Sequence, residues 1–212
     1  LKGLQIIRNN LKLIKFYHIC IAENIVLCIN AGGPLIRNTS FGIDVSEDCY
    51  FDGGDVLCTA ENIANTKDSC LYQTARYGNC SYAIQNIPSG NYLVDLHFAE
   101  IIFTNGPSGL RTFDVLVQNE KVTLNIRCFC AKLSNCLDIQ CLVIMAQVVS
   151  KLDVYSRVGS NTPLVVANVK ANVKDKGLIV SLRGIVGSPI ISGICVRRSA
   201  TQGNDQILQN IT

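Results

Sequence analysis

The chain has 212 residues, of which 48% are apolar and 17% are charged, and its formal net charge is +3. This apolar content is enough for the buried core of one domain, and it excludes a wholly disordered chain. The small, scattered charge excludes the basic face that nucleic-acid binding needs. Every apolar run of transmembrane length is interrupted by charged or strongly polar residues, so a membrane-spanning helix is not expected.

Residues 1–24 are predicted to be a flank or linker. Four apolar residues recur there at helical spacing: Leu4, Ile7, Leu11 and Ile14. An amphipathic helix is therefore the alternative, but the segment lacks the large polar face of a helix that binds a membrane surface. It also lacks the pattern of a signal peptide.

From residue 25 onward, short apolar or alternating segments are separated by turns rich in glycine and proline. The predicted strands are 25–30, 81–87, 92–98, 112–117, 122–126, 164–169, 178–182 and 190–196. Turns are predicted at 31–34, 50–54, 88–90 and 105–109, and a hairpin-type turn at 175–177. This pattern predicts an all-β sandwich over residues 25–198, followed by a disordered tail at 199–212.

Residues 127–151 do not fit the strand pattern. They contain four cysteines and the only methionine, and their flanks at 122–125 and 152–155 would form one alternating stretch if joined directly. We interpret the segment as an atypical insert. Its cysteine-rich, pattern-free character motivates the hypothesis of a retained intron or a gene-model error, which sequencing of the transcript would test.

The eleven cysteines cannot all pair within one chain, because their number is odd. Their spacing lacks the two-residue knuckle and the nearby histidine of a zinc site, so no metal is predicted. Most are predicted to be small buried residues of a protein in a reducing compartment.

Motifs of catalysis are not found in the sequence. There is no phosphate-binding loop, no His-Glu-x-x-His and no Gly-x-Ser-x-Gly. His97 and Glu100 are three residues apart, which places them on opposite faces of a strand rather than together as an acid–base pair. Asp114 is expected to hydrogen-bond a neighbouring turn. We therefore predict a chain without enzymatic activity, catalytic residues or a cofactor.

Aromatic residues are concentrated beside the predicted turns: Tyr50, Phe51, Tyr72, Tyr77, Tyr82 and Phe103. Loops gather at the ends of a sandwich and carry function. An exposed aromatic ring suits the C–H face of a sugar, and the nearby Asp52, Asn79 and Asn105 are suited to its hydroxyl groups. At least half of such rings are expected to serve the core instead.

Several sequence words, in order, resemble the malectin domain over about residues 25–198. They are at 29–33 (INAGG), 50–54 (YFDGG), 71–78 (LYQTARYG), 96–101 (LHFAEI), 111–115 (RTFDV), 152–159 (LDVYSRVG) and 192–195 (SGIC). The resemblance implies a jelly-roll-like, galactose-binding-like β-sandwich without catalytic activity, which binds glucose-containing disaccharides through loop aromatics.

The resemblance also implies ligand-binding residues. One is Tyr77, another is Phe103, and an early-loop aromatic falls at Tyr50 or Phe51. Isoleucine at position 102 replaces a tyrosine of the family, and the late-loop aspartate falls at Gly187 or Ser188. These two departures predict a weakened affinity for the sugar.

Within the family, the phrases at 53–57, 104–107 and 117–122 are similar to the malectin-like domain of plant kinesin-like proteins with a C-terminal motor. This implies a cytoplasmic, cytoskeleton-associated protein that binds a glycan or a protein, and that meets microtubules only through a motor absent from this chain. The alternative is a fragment of an extracellular malectin-like receptor-kinase ectodomain. Sequons at Asn38, Asn79 and Asn210 favour that alternative.

Overall fold

The computed structural model describes residues 24–40, 42–118, 120–121, 123–124, 147–148, 151–174 and 177–199. Residues 1–23 of the predicted flank, most of the predicted insert and nearly all of the predicted tail lie outside these ranges. Their assignments stay predictions.

The described residues form twelve strands and two short helices. The strands are β1 (Ile25–Asn30), β2 (Phe51–Cys58), β3 (Thr74–Gln85), β4 (Gly90–Phe98), β5 (Thr112–Val117), β6 (Glu120–Lys121), β7 (Thr123–Leu124), β8 (Gln147–Val148), β9 (Leu164–Val173), β10 (Gly177–Val186), β11 (Ile190–Ile191) and β12 (Gly193–Arg198). The helices are α1 (Ser69–Tyr72) and α2 (Val154–Val158).

Two antiparallel sheets make up the sandwich, and β7 and β8 form a separate two-stranded pair. The first has four strands in the order β1-β12-β4-β9. The second has six: β3 pairs with β2 along one side and with β10 and β11 along the other, and β5 and β6 follow β10. The predicted all-β, jelly-roll-like sandwich is therefore confirmed.

The core lies between the two sheets, and alternate strand residues supply it. Val94, Leu96 and Phe98 on β4 each have 0% exposure. The ring of Phe98 meets the ring of Phe113 from the opposite sheet, with a centroid separation of 5.9 Å. Alternation of this kind buries one face of each strand, and it is the pattern from which the sandwich is predicted.

Residues 50–54 are predicted as a turn, but residues 51–54 instead form the first half of strand β2. Gly53 and Gly54 have φ angles of 76° and 69°, and the register of β2 against β3 shifts between Gly53 and Asp55. Glycine tolerates this left-handed backbone, so the pair makes a bulge in a continuing strand rather than a chain reversal.

The prediction of a hairpin-type turn at 175–177 is also wrong. Strand β9, before it, pairs with β4 in the four-stranded sheet, whereas β10, after it, pairs with β3 and β5 in the six-stranded sheet. The connection therefore crosses between sheets. Local alternation predicts two strands correctly but does not say which sheet each one joins.

Short strands lie just before the predicted insert and near its end. Strand β7 pairs with β8, with Thr123 opposite Val148, so the chain ends on either side of 125–146 lie together. Leu152 forms a bridge to Phe113. The next residue, Asp153, then caps helix α2 by accepting a 2.9 Å hydrogen bond from the Ser156 amide. This cap begins a helix at Val154, within the flank at 152–155.

The described cysteines differ from the prediction of buried thiols. Cys28 and Cys195 occupy paired positions on β1 and β12 and form a disulfide across 167 residues of sequence. Cys58 and Cys70 are exposed, Cys49 is half-buried and Cys80 is buried. The disulfide joins the first and last strands of the sandwich.

Reduction of this disulfide is expected to lower the free energy of unfolding by about 2–4 kcal/mol, because the cross-link restricts the unfolded chain. Chemical denaturation with and without dithiothreitol measures the change. Cys28→Ser should abolish the response to dithiothreitol, while Cys58→Ser, which removes an exposed thiol, should preserve it. Equal stability of the oxidised and reduced chains would contradict the prediction.

Candidate functional site

A buried ion pair lies where β4 ends and β5 begins. Arg111 Nε donates to Glu100 Oε2 at 2.7 Å, and the two residues are 2% and 1% exposed. Glu100 follows β4 by two residues, and Arg111 immediately precedes β5. Charges buried this deeply are tolerated only when they are paired and hydrogen-bonded.

Backbone groups from two loops complete the pair. The second Glu100 oxygen, Oε1, accepts from the amides of Ile102 and Phe103 at 3.0 and 3.1 Å. Arg111 Nη1 donates to the carbonyl of Ser188, in the loop between β10 and β11. The ion pair thus fixes the β4–β5 and β10–β11 loops against each other.

Two of the predicted ligand residues meet at this ion pair. The Arg111 guanidinium carbon is 5.3 Å from the ring centroid of Tyr77 and 5.0 Å from that of Phe103. Both distances are within the range of a cation–π interaction. Tyr77 and Phe103 are therefore brought together, although they are 26 positions apart in the sequence. Their role as ligand contacts stays a prediction.

Tyr50 and Phe51 lie apart from this ion pair, and Phe51 contacts a second arginine. Their side chains are 46% and 45% exposed, and the Phe51 ring lies 3.4 Å from the guanidinium carbon of Arg76. Arg76 also donates to Asp48 through Nε at 2.9 Å. Successive side chains of a strand point to opposite faces, so Arg76 and Tyr77 separate the two aromatic groups across β3.

The other aromatics suggested by turn proximity serve the core. Tyr82 is 0% exposed, and its hydroxyl donates to Asp48 at 3.0 Å. Tyr72 is 3% exposed. Of the polar residues suggested as sugar partners, Asn79 accepts a 2.8 Å hydrogen bond from the Gly184 amide, whereas Asp52 and Asn105 are exposed.

The late loop has no room for a carboxylate at position 187. Gly187 has a φ of 63°, and a Cβ there would come within 2.6 Å of the Leu110 carbonyl oxygen. Ser188 contributes its backbone carbonyl to Arg111. The glycine at this position is therefore required by loop packing.

The sequence did not identify Glu100 and Arg111 as part of the site. Each is a charged residue beside a strongly apolar strand, and that contrast was the available signal. His97 Nδ1 is hydrogen-bonded to the Tyr72 hydroxyl at 2.8 Å. That His97 and Glu100 form no acid–base pair stays a prediction. Asp114 accepts from the Lys151 amide at 3.1 Å, as predicted.

The part of the chain that the structure describes contains no cluster of three or more His, Cys, Asp or Glu residues suited to a metal ion. Among the same residues, no helix combines the length and apolar character needed to cross a membrane.

The chain matches a known protein family. Residues 25–132, about half of the chain, match the family model of the Malectin domain. The chain belongs to the malectin-domain family. The resemblance stated from the sequence words is thereby confirmed.

The malectin domain is similar to parts of two plant kinesin-like proteins. It is 40% identical over 181 residues to Kinesin-like protein KIN-14E of Oryza sativa subsp. japonica, a match that covers 84% of this chain and 15% of the relative. It is 40% identical over 179 residues to Kinesin-like protein KIN-14R of Arabidopsis thaliana, covering 84% of this chain and 14% of the relative. The chain therefore spans about a seventh of the length of these relatives.

The fold is also similar to a solved plant structure, that of Receptor-like Kinase FER. The TM-score is 0.63 at 16% identity, and the match covers 84% of this chain and 50% of the other. At this identity the likeness concerns the fold alone.

Arg111→Met is expected to destabilise the malectin domain by about 3–5 kcal/mol, because it leaves the Glu100 carboxylate buried without its partner. Urea denaturation measures the loss. The matched control is Arg37→Met, since Arg37 pairs with Asp44 at 3.4 Å with side chains 70% and 50% exposed. That exposed pair should cost less than about 1 kcal/mol, and equal losses from the two variants would contradict the role of burial.

Burial lowers the pKa of His97 to about 4, although the nearby carboxylates of Asp95 and Asp68 oppose the shift. Between the ordinary pKa of about 6.5 and the lowered pKa of about 4, His97 is protonated in the unfolded chain but neutral in the folded domain. The titration of His97 therefore does not affect the free energy of unfolding above pH 6.5, and it lowers this free energy as the pH falls towards 4.

Urea denaturation between pH 7 and pH 5 should show this loss in the parent chain, and a smaller loss in His97→Gln. The same carboxylates titrate in both proteins, so the difference between them reports the histidine. Identical pH dependence would contradict the prediction.

Proposed function

We propose that this malectin domain is a non-catalytic binding module whose ligand is a glucose-containing oligosaccharide. The observation that carries the proposal is the meeting of Tyr77 and Phe103 over the guanidinium of Arg111. Two aromatic rings held by a fixed cation offer a preorganised surface for the C–H face of a sugar ring.

Arg111 also brings an unused hydrogen-bond donor to this site. Its Nη2 atom is buried and has no hydrogen-bond partner among the described residues. A buried donor without a partner is costly. A hydroxyl oxygen of a ligand, reaching Nη2 after a small movement of the rings, would satisfy it.

The proposed affinity is lower than that of a site with the full set of family residues. Ile102 supplies no aromatic ring, and the packing of Gly187 excludes a carboxylate. A lost stacking contact and a lost charged acceptor each cost about 1–3 kcal/mol, and together they weaken binding by roughly 30- to 10⁴-fold.

The similarity to plant kinesin-like proteins supports a cytoplasmic, cytoskeleton-associated setting for the module. In that setting, any contact with microtubules would be made by a motor outside this chain, and the module would recruit a glycan or a protein partner.

A second candidate is a binding module of an extracellular receptor-kinase ectodomain. The Cys28–Cys195 disulfide favours this candidate, because disulfides persist in oxidising compartments. The likeness in fold to a receptor-like kinase is consistent with it. The first candidate is preferred because the 40% sequence identity to kinesin-like proteins extends over 84% of this chain.

Calorimetric titration of the chain with maltose, nigerose and cellobiose tests the proposal. At least one of these sugars should bind, and Tyr77→Ala should weaken that binding at least tenfold, since a stacked ring contributes about 1–3 kcal/mol. The control is Val56→Ala, which shortens a side chain that is 60% exposed on β2 and should leave the binding unchanged.

Loss of binding in Tyr50→Ala but not in Tyr77→Ala would show that the sugar binds beside β2 and not at Tyr77. The absence of binding by a folded chain would reject the sugar ligand and favour a protein partner.

A further inference from the structure

A cavity of about 540 Å³ lies on the outer face of the four-stranded sheet, away from the residues around Arg111. Strands β1, β12, β4 and β9 provide its floor, and residues 65–68 with Tyr72 provide its roof. We call this cavity the outer groove. Its volume is within the range of about 300–1,000 Å³ that is typical of small-molecule sites.

The floor of the outer groove is rigid. The Cys28–Cys195 disulfide crosses two of its strands. Beside it, Arg197 binds both oxygens of Asp95, with Nε to Oδ2 at 3.0 Å and Nη2 to Oδ1 at 3.0 Å. Asn168 supports this pair, because its amide donates to Asp95 and its side-chain oxygen accepts from Arg197.

The roof of the outer groove is fixed to the rest of the domain at two points. Asp68 accepts from the amide of Ser40 at 2.7 Å and also from its hydroxyl. The Tyr72 hydroxyl is hydrogen-bonded to Nδ1 of the buried His97 on the floor. The cavity is therefore preformed, so ligand binding would not carry the entropic cost of ordering the loop.

Charges around the outer groove balance one another. Arg197 and Asp95 neutralise each other on the floor, and Lys67 and Asp68 are adjacent and opposite on the roof. A site dedicated to phosphate or to a divalent cation needs an excess of one sign. This balance favours a neutral ligand.

The lining of the outer groove is apolar on one side and hydroxyl- and amide-rich on the other. Ile25, Pro163 and Val165 line the floor side, whereas Ser40, Asn65 and Thr66 line the roof side. A sugar ring has this same division, with C–H groups on its face and hydroxyl groups around its edge.

We propose that the outer groove is a second ligand site of the domain and that it binds a neutral, polyhydroxylated ring ligand of one or two sugar units. The ring face packs on the floor beside Val165, and the hydroxyl groups bind the polar side chains of the roof. This site is independent of the one around Tyr77 and Phe103.

His97 provides a probe for the outer groove. The sequence contains two histidines, and His97 lies on the groove floor. Because its imidazole stays neutral at neutral pH, the histidine resonance that does not titrate between about pH 6 and 8 is assigned to it. The experiment follows this resonance by NMR while glucose, xylose, maltose or cellobiose is added to about 50 mM, which is well above a millimolar Kd.

At least one of these sugars should shift the His97 resonance saturably, in the parent chain and in Tyr77→Ala alike. Val165→Trp, which fills the groove from an edge strand where the side chain is 43% exposed, should abolish the shift. Ile179→Trp is the matched control: this residue is 38% exposed on the other sheet, and the shift should persist.

A shift that survives Val165→Trp, or that disappears in Tyr77→Ala, would overturn the proposal, as would a His97 resonance unmoved by all four sugars. Calorimetric binding lost in Tyr77→Ala, together with an intact His97 shift, would show two separate sites. Calorimetric binding that is unchanged in Tyr77→Ala, together with an intact His97 shift, would reject the loop site and keep the outer groove.

Discussion

The Glu100–Arg111 ion pair is the constraint on which the candidate site depends. Both side chains are almost completely removed from solvent, so each charge requires the other and the hydrogen bonds around it. Those bonds come from the backbone of Ile102, Phe103 and Ser188. The positions of the loops, and hence of the aromatic rings above the guanidinium, follow from the need to solvate this pair within the protein.

At two places in the domain, a buried arginine pairs with a carboxylate and also contacts an aromatic ring. Arg76 is buried against Asp48 and carries the exposed ring of Phe51, as Arg111 is buried against Glu100 and lies near Tyr77 and Phe103. A buried guanidinium has several donors in a fixed plane, so it orders backbone carbonyls while its face supports an aromatic ring. An arginine at the end of a strand can therefore link the core to a binding surface.

Much of the fold, but less of the site, could be predicted from the sequence. The second half of β3 follows from the local alternation at 81–87, which reports burial of one face, and β1 follows from a short apolar run that ends in a turn signal. The bulge at Gly53–Gly54 and the crossing between β9 and β10 depend on partners distant in the chain, which local patterns do not contain. Turn proximity selected Tyr77 and Phe103 correctly as neighbours of loops. It gave no reason to place them together, because their common partner Arg111 is brought near only by the packing of the two sheets.

The pairing of β1 with β12 has a mechanical consequence. Ile25 lies opposite Arg197, and the Arg198 amide donates to the Asn24 carbonyl at 2.8 Å, so the chain enters and leaves the sandwich at adjacent points. Tension between the segments on either side would pull these two strands apart one hydrogen bond at a time, as a zipper opens, until it reached the covalent link between Cys28 and Cys195. Beyond that link the load would pass through sulfur rather than through the core. Force along the flanking polypeptide would therefore load β1, β12 and their disulfide, and it would not reach the core between the two sheets.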